Sequence, residues 1–262
     1  LANQGCTTSK ARATYIDSAD VCSQHREPLV ESQEYFARNL VAGGIGGAVI
    51  GGIAGALLSK NRAKGALIGA GVGALAGVAG AYLKSKADQA KDKKELRAAI
   101  NTDAGKDNFQ LNKFSDALNR LNGCRADQLA RLKADFKAGR VKEPEARKRL
   151  ADIRAAMAKD ADLVGEVLDD AEERNHVYAD SAAKVDDVDR SIVLAKAEAY
   201  QPKVNRRPSG GGAKSLPRVQ AKPRPKANTA IQAAEIKRKE VKAEFEAQQQ
   251  ALDDDARDVL FA

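Results

Sequence analysis

Residues 40–58 read LVAGGIGGAVIGGIAGALL, and residues 65–83 read GALIGAGVGALAGVAGAYL. In the first stretch Gly43, Gly47, Gly51 and Gly55 recur every fourth residue, and in the second Gly65, Gly69, Gly73 and Gly77 do the same. Four-residue spacing puts such positions on nearly one helix face, and glycine lets a second backbone approach closely where lipid supplies no hydrophobic drive. In water each glycine costs a helix up to about 1 kcal/mol relative to alanine, so eight of them would burden an ordinary core helix. Ile45, Val49, Ile50, Ile53, Leu57, Leu67, Ile68, Val72 and Leu75 fill the other faces, unlike a polar linker. Each stretch approaches the roughly 20 apolar residues that cross a bilayer core. The pattern predicts a membrane-spanning helical hairpin whose glycine stripes are its packing surfaces.

Charge supports this placement. The turn between the stretches carries Lys60, Arg62 and Lys64 and no acid, Arg38 precedes the pair, and Lys84 and Lys86 follow it. The repeated stripes resemble the bacterial glycine-zipper families, including the two-helix glycine-zipper domain of envelope lipoproteins and small outer-membrane proteins, over residues 38–86. The resemblance implies an envelope structural protein that packs as an oligomer; it implies no chemistry. It points to the outer membrane, whereas the basic turn fits a cytoplasmic loop of an inner-membrane hairpin with both termini periplasmic.

The rest of the chain is charged and poor in aromatics. Of 262 residues, 31% are charged and 4% aromatic, with no tryptophan, which argues against an enzyme core and for long solvated helices. The expected class is all-α, a glycine-zipper hairpin followed by a long-helix coiled coil or bundle. Five segments follow: an exported N-terminal segment at 1–36, the hairpin at 37–86, a long helical region at 87–200, a basic linker at 201–229 and a charged C-terminal helix at 230–262. A first residue of Leu1 rather than Met is the expectation for a removed targeting segment. Three cysteines, Cys6, Cys22 and Cys124, leave one over in any intramolecular scheme. Cys6–Cys22 is the favoured bridge, with free thiols and lipid-modified Cys6 as alternatives; Cys124 reads as a small seam residue.

Beyond the hairpin, residues 84–106 read as a charged stalk. Leu111, Phe114, Leu118, Leu121, Leu129, Leu132 and Phe136 then mark an amphipathic helix. Gly139 suits its C-terminal cap and Pro144 the first turn of the next helix, so the chain reverses there. The returning seam runs from Leu150 through Ile153, Met157, Val164, Leu168 and Val185 to Ile192, a helix of up to about 55 residues that is too long to bury its seam unaided. Residues 108–138, the last helix or another subunit are its candidate partners. Ala and Asp interrupt the seams, which favours a bundle or ring over a zipper.

The linker concentrates the chain's charge. Lys203, Arg206, Arg207, Lys214, Arg218, Lys222, Arg224 and Lys226 are eight cations without an acid, equal to the net charge of +8, and five of the seven prolines lie among them. This segment reads as a disordered spacer or as a contact for an anionic partner such as peptidoglycan, lipopolysaccharide or acidic lipid; no interleaved aromatic supports nucleic acid. No catalytic motif, cofactor loop or metal set stands out. His176 with Glu172 and Asp180 shares a helix face, which reads as solvated. The leading expectation is a structural, oligomeric, membrane-anchored envelope protein, a component of a larger secretion, transport or appendage complex. The alternatives are a glycine-zipper pore and a membrane-to-peptidoglycan tether.

Overall fold

The computed structural model describes residues 10–38, 77–205, 216–220, 227 and 229–261. Among them the chain forms helices α1 (Lys10–Tyr15), α2 (Glu27–Phe36), α3 (Gly77–Ala87), α4 (Lys93–Lys137), α5 (Glu143–Asp186), α6 (Arg190–Glu198) and α7 (Ala230–Asp258), and no strand beyond an isolated antiparallel bridge between Val204 and Val219. The all-α expectation stands. No helix among the described residues is long and apolar enough to cross a membrane.

Helix ends follow local chemistry. Asp92 accepts a hydrogen bond from the Glu95 amide at 2.7 Å, and the Glu95 carboxylate accepts one from the Lys91 amide at 2.8 Å, a near-reciprocal cap that starts α4. The predicted reversal is present: Gly139 takes the left-handed φ of 69°, the Arg140 amide reaches back to the Asp135 carbonyl, and Pro144 sits in the first turn of α5. The single long returning helix is not. Asp187 adopts φ 55° and caps α5 at Asp186, a conformation aspartate tolerates better than most side chains, and α6 begins separately.

The α4 and α5 seams meet each other and are completed from both sides within the chain. On one side α7 packs along α4 and α5. On the other, α2 places Leu29, Val30 and Phe36 against Leu111, Phe114, Leu118, Leu163 and Val167, and α3 places Tyr82 and Leu83 against Leu96, Ile100, Tyr178 and Ala182. A third apolar layer at the far end joins Leu129, Leu132, Leu150, Ile153 and Met157 to Leu252 and Val259. The expected stalk at 84–106 is therefore core: Leu96, Ile100 and Ala104 are buried. The last helix supplies the partner that the long seams called for, and the segments read separately in the sequence share one set of layers.

Helices α2 and α3 lie end to end in one groove between α4 and α5. The sequence between them, residues 39–76, is thus an insertion into one arm of a four-helix bundle. Gly77 has φ 76°, which a right-handed helix does not contain, so α3 does not continue a helix from upstream. Residues 77–83, read from the sequence as the end of a second membrane span, belong to the bundle instead. The twelve apolar residues left at 65–76 would rise only about 18 Å as a helix, short of the roughly 30 Å hydrocarbon core.

The disulfide also differs from the expectation. Cys22 bonds Cys124 across 102 residues, with Cα atoms 5.9 Å apart, so the favoured Cys6–Cys22 pairing is replaced and Cys124 is a half-cystine rather than a seam filler. By loop-closure entropy a ring of that size stabilises by about 4.7 kcal/mol. The bond ties an N-terminal strap, residues 10–38, onto α4.

Candidate functional site

The place where the glycine-rich insertion leaves and re-enters the bundle is its most organised polar region. Asp107 comes from α4, one turn after Asp103; Arg174 and Tyr178 come from adjacent turns of α5. The Arg174 guanidinium donates to both Asp107 carboxylate oxygens, Nε at 2.8 Å and Nη2 at 2.9 Å, the forked geometry that suits a guanidinium and a carboxylate. The side chains of Arg174 and Asp107 are 12% and 5% exposed, so the pair is screened little by water.

This pair holds the first root. The Tyr35 hydroxyl donates to Asp107 at 2.7 Å, Arg174 Nη1 donates to the Arg38 carbonyl at 3.0 Å, and the guanidinium lies 5.1 Å and 5.8 Å from the Tyr35 and Phe36 ring centres. One side chain therefore serves a carboxylate, two aromatic faces and a backbone carbonyl just past the end of α2. Burial, then the nearby Asp107, pushes the Tyr35 phenol well above its ordinary range, so it remains a donor.

The second root uses the same helices one turn along. The Tyr82 hydroxyl donates to Asp103 at 3.0 Å, its ring packs edge-on to Tyr178 at 5.4 Å, and Tyr178 accepts from Arg174 at 3.1 Å. Lys86 and Lys106 reach Asp103 at 2.5 Å and 3.0 Å. Burial opposes ionisation of Asp103, but the hydrogen bonds from Lys86 and Lys106 outweigh it and hold the carboxyl below its usual range. Burial likewise raises the Tyr82 and Tyr178 phenols. The two moorings form one network, with anchor points about one helical turn apart, roughly 5 Å along α4. The insertion leaves and returns at one spot.

A second cluster fixes the other end of the strap. Arg26 and Asp20 of the strap meet Arg125 of α4 and Asp160 of α5. Arg125 bonds Asp160 at 2.7 Å and Asp20 at 2.6 Å, Arg26 bonds Asp20 at 2.8 Å and also pairs with Asp160, and none of the four side chains is more than 9% exposed. Tyr15 donates to Glu166 at 2.8 Å, and burial with that bond pushes its phenol up to about 12.

The residues singled out in the sequence fare unevenly. Gly43, Gly47, Gly51, Gly55, Gly65, Gly69 and Gly73 lie outside the described residues, as do Cys6, Arg206, Arg207, Lys214, Lys222, Arg224 and Lys226. Arg218, read as a contact for an anionic partner, instead pairs with Glu244 of the chain's own α7 at 3.3 Å, and the neighbouring Val219 amide donates to the same carboxylate. Lys203 is exposed, and its carbonyl accepts from the Gln220 amide beside the Val204–Val219 bridge. The ends of the linker are thus pinned to the bundle. Glu172 pairs with Arg238 and Asp180 with Arg190, and among the described residues no His, Cys, Asp or Glu group is arranged to hold a metal.

Sequence reasoning missed the mooring residues, though a signal was present. Asp107 interrupts the apolar series Ile100, Ala104, Leu111, Phe114; Arg174 falls between Ala171 and Tyr178; Asp160 falls between Met157 and Val164. A charge inside a seam needs a buried partner. Comparison with known proteins finds no curated protein and no solved structure that matches. Residues 21–85 match the YMGG-like Gly-zipper family model, a span that opens beside Cys22, runs through both roots and the insertion between them, and ends within α3.

Proposed function

We propose that this chain is a structural, membrane-associated protein of a bacterial cell envelope that assembles through its glycine-rich insertion, as one component of a larger envelope complex. The observation that carries the reading is the double mooring: both ends of residues 39–76 are held on adjacent turns of the same two helices. Roots held on the same two helices put both ends of the segment at one place on the bundle, as a hairpin requires. Its apolar composition and seven regularly spaced glycines suit burial among small faces in lipid, and the Gly-zipper match over residues 21–85 supports envelope association. The Cys22–Cys124 bond supports an oxidising compartment such as the periplasm.

In this reading the insertion enters the membrane as a hairpin, and residues 77–83 stay with the bundle. The bundle stays in water, since its exposed surface is charged and its seams are internally covered. Flotation of the full chain with phosphatidylethanolamine/phosphatidylglycerol vesicles tests the membrane reading. The chain should rise with the vesicles, and recovery wholly in the aqueous fraction would overturn it. Assembly is read separately: Gly47→Leu with Gly51→Leu should keep flotation and reduce the particle mass in detergent, and an unchanged mass would remove the stripe as the interface.

A further inference from the structure

The Cys22–Cys124 bond does not simply staple the bundle, because the bundle's main layers lie on one side of it. Helices α4, α5 and α7 pack on each other without the strap, which covers only one groove. Through the bond the strap is held at both ends. Without it the covalent path from the strap to α4 runs only through residues 39–76 and α3, and the strap's N-terminal part is held by non-covalent contacts alone.

What the bond holds in place is also expensive to bury. Asp20 and Arg26 belong to the strap, Arg125 and Asp160 to the bundle, and closing the strap removes all four charges from water. Such a cluster is well paired, yet its desolvation offsets much of its mutual attraction. Closure of the strap therefore rests on its apolar contacts through Leu29, Val30 and Phe36 and on the covalent bond, with little net help from the ion cluster.

The bond lies close to an open face of the bundle. Cys22 is fully buried, but Cys124 is only half-buried. An open cleft of about 420 Å³ runs past Asp20 and Val21, next to Cys22, and past Gln128, one turn beyond Cys124. Gln128 Oε1 lies 3.2 Å from Cys22 Sγ and accepts from Arg125 at 2.9 Å, so a sulfur released at Cys22 finds a polar partner tied to a guanidinium.

We infer that the Cys22–Cys124 bond is a redox latch on the N-terminal strap, closed by exchange with a disulfide, which is reduced to its dithiol, and opened by the reverse exchange with a dithiol. A thiolate of the dithiol attacks the more exposed Cys124 sulfur and Cys22 leaves as a thiolate. The second thiol then displaces Cys124 from the mixed disulfide. The dithiol ends as a disulfide, and its two protons end on Cys22 and Cys124. The ion cluster then hydrates and residues 10–36 open as a unit while α4, α5 and α7 remain packed. Because the strap ends at the first root, opening loosens one of the two moorings and leaves the Tyr82–Asp103 mooring intact.

Amide hydrogen exchange on the full chain in detergent, before and after dithiothreitol, tests this directly on already folded protein. Protection in 10–36 should fall at least about tenfold, protection in 246–258, which the strap does not touch, should stay unchanged, and reoxidation should restore the first. Unchanged exchange in 10–36 would make the bond inert, and equal loss throughout would make it a global staple; either overturns the latch. The Cys22→Ser, Cys124→Ser pair should reproduce the reduced pattern without reductant.

Discussion

The two polar clusters at the ends of α2 differ in how they are closed. At its start Arg26, Arg125, Asp20 and Asp160 form a charge-balanced knot sealed from water and backed by a disulfide. At its end Asp107, Arg174 and Tyr35 join a network that reaches the surface through Lys106, whose side chain is 64% exposed. The first cluster has no partial state of low cost, because losing any member strands a buried charge. The second is built of neutral phenols around the buried Arg174–Asp107 pair and the more exposed Asp103 pairs with Lys86 and Lys106, and can loosen contact by contact. The looser cluster is the one beside the insertion, where a membrane-directed segment needs some freedom at its roots.

The sharpest way to break that contrast is at Asp160, which holds both buried guanidiniums. Asp160→Asn should cost about 3–5 kcal/mol of stability in the oxidised protein, read as a lowered urea midpoint. A loss below about 1 kcal/mol would mean that the knot is hydrated and that the two clusters are alike. Next comes Arg174→Met, which should cost about 2–3 kcal/mol, since it strands Asp107 and frees the Arg38 carbonyl. Its effect should also be local, with exchange rising at 33–38 and 78–87 before it rises at 150–171. Uniform acceleration would deny that the roots form a unit of their own.

The same contrast explains what the sequence could disclose. Seam periodicity, the Gly139 reversal and the cap at Pro144 were legible because each depends on neighbours within a few residues. The break at Asp187 was not, since an aspartate in the left-handed region leaves no glycine to mark it. The Cys22–Cys124 pairing joins residues about a hundred positions apart and depends on α2 lying antiparallel to α4, which no local pattern encodes. Asp107, Asp160 and Arg174 were visible as intrusions into apolar seams and argued only against a zipper. Their partners Tyr35 and Arg26, and the Asp103 partner Tyr82, come from segments whose place in the groove is tertiary. The glycine stripes drew attention to 40–83, yet the residues that position that stretch lie on its two flanks and on α4 and α5.

The smallest expected effect separates the two roots from each other. Asp103 has a depressed pKa in the folded chain, where Lys86 and Lys106 overcome the effect of burial, so the unfolded state binds its proton more readily. Its contribution to stability is therefore fully present above the unfolded carboxylate value near pH 4 and is lost as pH falls through the lower folded value. Acidification from pH 5 to pH 3 should lower the protection factors at 78–87, the Tyr82 root, ahead of those at 33–38, once the pH dependence of intrinsic exchange is divided out. Asp20 is also lowered, by Arg125, the Cys22 amide and Arg26 against the opposing effect of burial, and it acts with the same sign, but at the strap's other end. The region that opens therefore identifies the group responsible. Asp103→Asn should flatten the acid dependence at 78–87 and leave that of the strap in place. An acid response at 78–87 that survived the substitution would show that this root is controlled from the Arg174 side, and the two moorings would then count as one.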